Sequence, residues 1–260
     1  MSASRSILII ALSIALSGLA ACDKSERAAA PADNVAAAIT NPARLAVDTG
    51  EDSWRKPAEV LRFLEVRPGA HILDYFAAGG YFTELLSYAV GPQGKVIAYN
   101  NQPYLKFAGK QPERRYGEGR LPNVTQLTMA PEAVELEPQS LDGALFALAY
   151  HDLYWRSPSP RWPPTDAAQA LQRLVPALKP GAAVVVVDHA ASAGSDPLQT
   201  VDALHRIDPE VVKRDFIAAG LEFEAESPVL QNPADDRTKP VFDVSVRRKT
   251  DRFIYRFRKR

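Results

Sequence analysis

Three of the four histidines in the chain lie beside aspartates in short clusters. The clusters are Tyr150-His151-Asp152, Asp188-His189 and His205-Arg206-Ile207-Asp208. A histidine near neutral pKa, oriented by a carboxylate, can take the proton from an attacking nucleophile. Imidazole and carboxylate groups are also ligands for zinc, iron or manganese. The residue types therefore leave two roles open: acid–base catalysis, and a divalent-metal site. The candidate catalytic residues are His151, Asp152, Asp188, His189 and His205, and the candidate metal ligands are His151, Asp188 and His189.

Predicted strands end just before two of these clusters. The apolar runs 140–149 and 182–187 are typical of inner parallel strands, which are buried on both faces. His151 follows the first run and Asp188 follows the second. In an open α/β sheet, ligands bind outside the carboxyl ends of the strands. We therefore expect the clusters, including Asp208 before a predicted helix at 209–219, to converge on one site.

A second candidate site lies in the stretch Asp74-Tyr75-Phe76-Ala77-Ala78-Gly79-Gly80. The pattern predicts a strand at 70–75, a turn of small residues and a helix that begins near Tyr81. Such a unit places backbone N–H groups and a helix N-terminus beside a bound ligand, and glycine allows close approach. The fingerprint GxGxxG is absent, so a nicotinamide or flavin cofactor is not favoured.

The second predicted strand, at 95–99, is followed by Asn100 and Asn101. Folds that bind dinucleotides usually place a carboxylate for the ribose hydroxyls at this point. An asparagine amide can both donate to and accept from a hydroxyl group, so ribose binding is one interpretation. A turn-forming asparagine pair without a ligand is the other.

The rest of the chain continues the alternation of strands and helices. Strands are predicted at 124–129, 221–225 and 252–257, helices at 83–89 and 165–178, and an irregular loop at 102–122. This alternation favours a mostly parallel sheet with crossover helices.

The turn around Asp74 and Gly80, and the turn Leu178-Lys179-Pro180-Gly181 before a Val-rich strand, resemble class I S-adenosylmethionine-dependent methyltransferases. The histidine clusters and Thr250-Asp251-Arg252-Phe253 resemble a bacterial group of predicted methyltransferases. Phe76 and Ala78 depart from the glycines usual in the family's turn. The resemblance spans residues 50–260 and implies a Rossmann-like α/β fold: a seven-stranded, mostly parallel sheet with helices on both faces. It also implies methyl transfer to an unknown small-molecule acceptor. The cofactor S-adenosylmethionine would contact Asp74, Ala78, Gly79, Gly80 and Asn100.

The first residues are typical of a targeting segment. Arg5 precedes an apolar run at 7–16 that is short for a transmembrane helix. Leu19-Ala20-Ala21-Cys22 resembles the bacterial lipobox, and Cys22 is the single cysteine. The sequence therefore predicts a signal peptide at 1–21, lipidation of Cys22, an Ala/Pro-rich tether at 22–45 with a short helix, and a domain at 46–260. Such a protein would be a membrane-anchored lipoprotein on the periplasmic face.

The net charge of the chain and its expected side of the membrane limit the functions that it could have. The 31 basic and 31 acidic residues balance, and no nucleic-acid-binding motif is present, so we expect no nucleic-acid partner. Adenosylmethionine is cytoplasmic, whereas a processed lipoprotein usually faces the other side of the membrane. A second hypothesis therefore stands beside the methyltransferase: a membrane-tethered, cofactor-free Rossmann-like protein that binds a metal or small ligand through the histidine–aspartate clusters.

Overall fold

The computed structural model describes residues 33–156 and 163–260, which contain one seven-stranded mixed sheet. Its strands are β1 His71–Tyr75, β2 Lys95–Asn100, β3 Val124–Thr128, β4 Leu141–Ala147, β5 Leu178–His189, β6 Leu221–Ser227 and β7 Arg252–Lys259. The strand order is β3-β2-β1-β4-β5-β7-β6. The first five strands pair in parallel, and β7 runs antiparallel between β5 and β6. The predicted fold class is confirmed.

Ten α-helices accompany these strands in the described ranges. They are α1 Asn34–Ile39, α2 Ala46–Thr49, α3 Asp52–Arg55, α4 Pro57–Phe63, α5 Tyr81–Val90, α6 Gln102–Ala108, α7 Gln111–Tyr116, α8 Ala167–Leu174, α9 Pro197–Leu204 and α10 Pro209–Ala218. A 3₁₀ turn, Tyr150–Leu153, follows β4 and carries the first histidine cluster.

Alternating side chains of the central strands supply two cores, one on each face of the sheet. Leu145 and Val185 lie in the core formed with α1, α4 and α5. Their neighbour Phe146 lies in the other core, with α8 and α10. There the ring of Phe216 stacks on Phe257 with centroids 4.5 Å apart. Burial on both faces explains why β4 and β5 read as continuous apolar runs.

Residues 102–122, predicted to be an irregular loop, instead contain α6 and α7. The Asn101 side chain caps α6 by accepting a hydrogen bond from Tyr104 N at 2.9 Å. A proline lies in the first turn of each helix, where its missing N–H costs nothing. The prolines that suggested a loop therefore begin the helices.

The folded unit begins at Asp33, before the predicted domain boundary at residue 46. The Asp33 side chain caps α1, and its Oδ2 lies 2.6 Å from Arg62 Nη2. The side-chain amide of Asn34 donates to the carbonyl oxygens of Val66 and Ala89. These contacts attach residues 33–45, assigned above to the tether, to the domain.

The predicted signal peptide and Cys22 lie outside the described residues. Within residues 33–156 and 163–260, no helix has the length and apolar character needed to cross a bilayer.

A buried ion pair beside β5 holds the long connection between β6 and β7 in place. Asp235 accepts hydrogen bonds from Arg206 at 2.8 and 3.1 Å, and both side chains are almost fully buried. Replacing Asp235 with alanine leaves the guanidinium of Arg206 buried without its counter-ion. We expect Asp235→Ala to lower the free energy of unfolding by about 3–5 kcal/mol, measured by urea denaturation. The matched control is Asp236→Ala, at an exposed neighbour. An equal effect of the two substitutions would contradict a stabilising role for the pair.

Candidate active site

The carboxyl ends of β4 and β5 bring His151 and Asp188 into contact. These strands pair in parallel through Ala147 and Val187, so the residues that follow them leave the sheet side by side. His151 Nδ1 lies 2.7 Å from Asp188 Oδ1, and the His151 backbone N–H donates to the other carboxylate oxygen at 2.9 Å. His151 is 4% exposed and Asp188 is fully buried. The carboxylate therefore fixes both the ring and the backbone of His151.

Charge decides the protonation state of His151. Burial alone would lower its pKa, but the carboxylates of Asp152 and Asp188 outweigh burial and raise the pKa to about 9. Burial acts in the opposite sense on Asp188, yet the His151 charge and hydrogen bond hold the pKa of Asp188 below its ordinary value. At neutral pH the pair is an imidazolium and a carboxylate.

The other two histidines of the clusters lie beside His151 but remain neutral. The ring centroids of His189 and His205 lie 6.1 and 5.7 Å from that of His151. Burial lowers the pKa of His189 to about 3, and its Nδ1 lies 2.8 Å from the Thr250 hydroxyl oxygen. Burial also lowers the pKa of His205, and the charge on His151 adds to this effect. The structure thus places one charged and two neutral imidazoles together.

His205 faces an aromatic rim at the edge of the cluster. It ends α9 in the left-handed conformation, at φ 53°. Its ring centroid lies 5.2 Å from that of Trp155 and 4.9 Å from that of Phe242, which is 58% exposed. Within the described parts of the chain, the His205 ring makes no hydrogen bond. His205 is half-buried, whereas His151 is buried, so the His205 ring is more accessible to a ligand than the His151 ring.

Two other members of the clusters take different places. Asp152 accepts a short hydrogen bond from the Tyr104 hydroxyl, which links the cluster to α6. The carboxylate oxygens of Asp208 accept from the backbone N–H groups of Glu210 and Gly194. The expectation that Asp208 joins the histidines in one site stays a prediction. Its carboxylate caps α10 and fixes a loop.

Tyr104 was not among the predicted site residues. Its ring stacks on Phe76 of the β1 turn with centroids 4.4 Å apart, while its hydroxyl bonds Asp152. It lies in the segment read as a loop, where no periodicity marked it.

The predicted metal ligands are engaged with other groups. His151 and Asp188 bond one another, and His189 bonds Thr250. Among residues 33–156 and 163–260, no three His, Cys, Asp or Glu side chains are grouped as a metal site would need. The arrangement therefore does not fit the divalent metal.

The turn after β1 is stabilised from inside the protein. Asp74 is 2% exposed and accepts a hydrogen bond from the Thr83 hydroxyl at 2.6 Å. Burial raises the pKa of Asp74 to about 7. Phe76 and Ala78 both adopt positive φ, at 56° and 48°, a conformation that costs energy for residues other than glycine.

Asn100 closes this turn with its amide. Its oxygen accepts from the Ala78 N–H at 2.8 Å, and its nitrogen lies 3.3 Å from the Ala78 carbonyl oxygen, which accepts from it. Asn100 is 3% exposed. The oxygen and the nitrogen of the Asn100 amide, which were expected to bond the ribose hydroxyls, therefore both bond the Ala78 backbone.

Helix α7 covers the two glycines of the turn. A Cβ atom added at Gly79 would lie 2.2 Å from Gln111 Oε1, and one at Gly80 would lie 2.0 Å from the Tyr116 hydroxyl. Arg115 donates a short hydrogen bond to the Gly79 carbonyl oxygen and pairs with Glu84 on α5. Here the missing side chains admit a helix of the protein itself.

These contacts test the fit of adenosylmethionine. The turn's glycines, its Ala78 backbone and the Asn100 amide are all engaged within the protein. The aromatic pair of Phe76 and Tyr104 lies at the same turn. In this conformation α7 and Asn100 cover the turn, so the cofactor could enter only if side chains such as the exposed Gln111 moved aside.

The chain resembles known proteins in its fold, whereas its sequence resembles them only distantly. No family model matches the sequence, and no curated protein matches it. Among solved structures, a SAM-dependent methyltransferase from Aquifex aeolicus is similar, with a TM-score of 0.57 at 17% identity. That alignment covers 81% of this chain and 94% of the other.

Two further structures share this likeness. A putative sarcosine dimethylglycine methyltransferase from Galdieria sulphuraria has a TM-score of 0.55 at 17% identity, covering 80% of this chain and 85% of the other. The [4+2]-cyclase SpnF has a TM-score of 0.56 at 16% identity, covering 80% of each chain. The chain therefore has the α/β fold of the class I S-adenosylmethionine-dependent methyltransferases.

Proposed function

We propose that the protein is an S-adenosylmethionine-dependent methyltransferase that acts on a small-molecule acceptor beside His151. One observation carries the proposal: three histidines and Asp188 converge at the carboxyl ends of β4 and β5. In a sheet of this kind, that edge is where ligands bind. The fold of the similar structures supports methyl transfer as the reaction.

The opposed pKa shifts assign roles to the histidines. Two groups whose environments push their pKa values apart are the natural acid and base of a site. His205 is neutral and accessible, so it is the residue that takes the acceptor's proton. His151 is charged, so it is the group that donates a proton or stabilises negative charge. Asp188 positions its ring. This reverses the expectation that a histidine held by an aspartate is the base.

A second candidate is favoured by the covered turn after β1. If α7 stays on Gly79 and Gly80, the histidine site works without the cofactor, as a ligand-binding or acid–base site. The [4+2]-cyclase among the similar structures supports this reading, since the fold is not tied to one activity.

The periplasmic, lipid-anchored location is also a proposal. It rests on the lipobox-like residues Leu19-Ala20-Ala21-Cys22. A single lipid chain binds membranes only weakly, so stable anchoring would need more than one chain at Cys22.

Binding of the cofactor distinguishes the two functions. We expect adenosylmethionine and adenosylhomocysteine to bind the full chain in calorimetric titrations. Gln111→Ala should bind them more tightly, because it removes the exposed side chain that covers Gly79. The matched control is Glu113→Ala, an exposed residue of the same helix. Failure of both ligands to bind wild type and Gln111→Ala alike would reject the methyltransferase and leave the second candidate.

The charge on His151 predicts a pH dependence of stability. Because the pKa of His151 is raised to about 9 in the folded protein, its contribution is complete below pH 6.5 and is lost as the pH rises through 9. We expect the free energy of unfolding of wild type, minus that of His151→Gln, to fall between these pH values in urea titrations. A difference that stays flat or increases over this range would show that His151 is not charged.

Lipidation is tested at Cys22. The wild-type chain should incorporate labelled palmitate in a bacterial host and sediment with membranes, whereas Cys22→Ser should do neither. Unchanged membrane association of the unlabelled variant would show that another segment anchors the protein.

A further inference from the structure

Arg252, the first residue of β7, is a buried arginine that pairs with no carboxylate within the described residues. The residue is 6% exposed, and its Nε is buried with no hydrogen-bond acceptor. In the described residues its side chain forms no ion pair, and the adjacent carboxylate of Asp251 is bonded to Arg237. Burying a charge without a counter-ion is unfavourable, and an unsatisfied buried donor in a native protein calls for an explanation, of which a bound ion is one.

Arg252 belongs to a group of cations around the Trp54 ring. The guanidinium carbons of Arg55, Arg252 and Arg248 lie 4.4, 5.4 and 5.9 Å from the Trp54 ring centroid. Glu51 Oε2 lies 3.5 Å from Arg55 Nε, and Glu51 Oε1 lies 2.6 Å from Arg248 Nη2. Glu51 therefore pairs with two of the three guanidinium groups.

The other carboxylates near this group have cations of their own. Asp52 forms a two-point ion pair with Arg44, and Asp48 bonds Arg115. The excess positive charge beside Trp54 is thus not neutralised by α2 or α3.

Within the described residues, the same place holds two buried donors that lack an acceptor, the indole Nε1–H of Trp54 and the Nε–H of Arg252. The Nε of Arg55 is also buried, and its nearest carboxylate oxygen, on Glu51, is 3.5 Å away. Guanidinium groups match the geometry of carboxylate and phosphate oxygens, and such charged hydrogen bonds are strong. Two free donors beside the Arg55 guanidinium, with excess positive charge, are complementary to an oxyanion.

This group lies next to the histidine site. Arg252 is directly opposite His189 in the antiparallel pairing of β5 and β7, so both side chains leave the sheet on the same face. The guanidinium carbon of Arg55 lies 4.6 Å from the ring centroid of Tyr81, the first residue of α5. The arginines thus lie between the β1 turn and His189.

We propose that Trp54, Arg55 and Arg252 bind the carboxylate or phosphate group of a small-molecule ligand. The assignment of that ligand as the methyl acceptor rests on the proposed function, and it names the substrate class as an acid. The cofactor's own methionine carboxylate is the other source of the same chemistry. Binding of an oxyanion as such does not depend on methyl transfer.

The test uses the full chain with inorganic phosphate and succinate as probes. Chloride at equal ionic strength is the reference, and binding is measured from the melting temperature. We expect both oxyanions to stabilise wild type more than chloride does. Arg252→Leu should weaken this binding by about tenfold or more, since it removes a charged hydrogen-bond donor. Without oxyanion it should melt no lower than wild type, because an unpaired buried charge is gone.

Arg248→Leu is the matched control, because this exposed arginine touches the same ring but is paired with Glu51. Its oxyanion affinity should stay within about threefold of wild type, as expected for an exposed ion pair. The site is rejected if wild type responds equally to oxyanion and chloride. It is also rejected if Arg252→Leu melts lower than wild type and keeps the oxyanion response, since Arg252 would then be structural.

Two nucleosides separate the sources of the carboxylate. Adenosylhomocysteine carries the methionine-derived carboxylate, and methylthioadenosine lacks it. If Arg252→Leu weakens only adenosylhomocysteine, the site holds the cofactor's carboxylate. If it weakens phosphate and succinate but leaves adenosylhomocysteine unchanged, the site belongs to the acceptor. Oxyanion binding without nucleoside binding would support the site while rejecting the methyltransferase.

Discussion

The parallel pairing of β1, β4 and β5 is the constraint from which the sites follow. Parallel neighbours need crossover helices, and these crossovers place all carboxyl ends at one edge of the sheet. Residues far apart in sequence, such as His151 and Asp188, therefore meet without a dedicated scaffold. Because each strand is buried on both faces, its end has little freedom, and the groups there are held in fixed positions.

Buried charge is treated in two ways in this molecule. Arg206 has the carboxylate of Asp235, and Arg115 has that of Glu84, so each is neutralised within the protein. Arg252 is buried nearly as deeply, and no carboxylate in residues 33–156 or 163–260 pairs with it. The first arrangement fixes loops and helices to the sheet. The second leaves electrostatic attraction unused by the fold, which is the property expected of a binding group.

The sequence was informative where local chemistry determines structure. Continuous apolar runs identified β4 and β5, and the small residues before Tyr81 identified the turn and α5. It failed where one residue type serves two purposes. The prolines of 102–122 begin helices as readily as they break them, and an asparagine such as Asn100 can bond a ribose or its own backbone. The alternatives differ only in tertiary contacts, which no local pattern contains.

Charge states were beyond the sequence for the same reason. His151 and His205 have similar neighbours in the chain, each with an aspartate close by. Their pKa values move apart because the carboxylates of Asp152 and of Asp188, which is 37 residues from His151, outweigh burial at His151, whereas burial and the charge on His151 prevail at His205.

The position of β7 has a consequence for how the molecule is made. This strand follows β6 in the chain but lies between β5 and β6, and it pairs with both. During synthesis the outer edge of β5, rich in valine, has no partner until residues 252–259 have left the ribosome. An unpaired apolar edge is a template for pairing with other chains. The nascent protein is therefore most prone to aggregate in the interval between completion of β5 and arrival of β7, when a chaperone would be of most use.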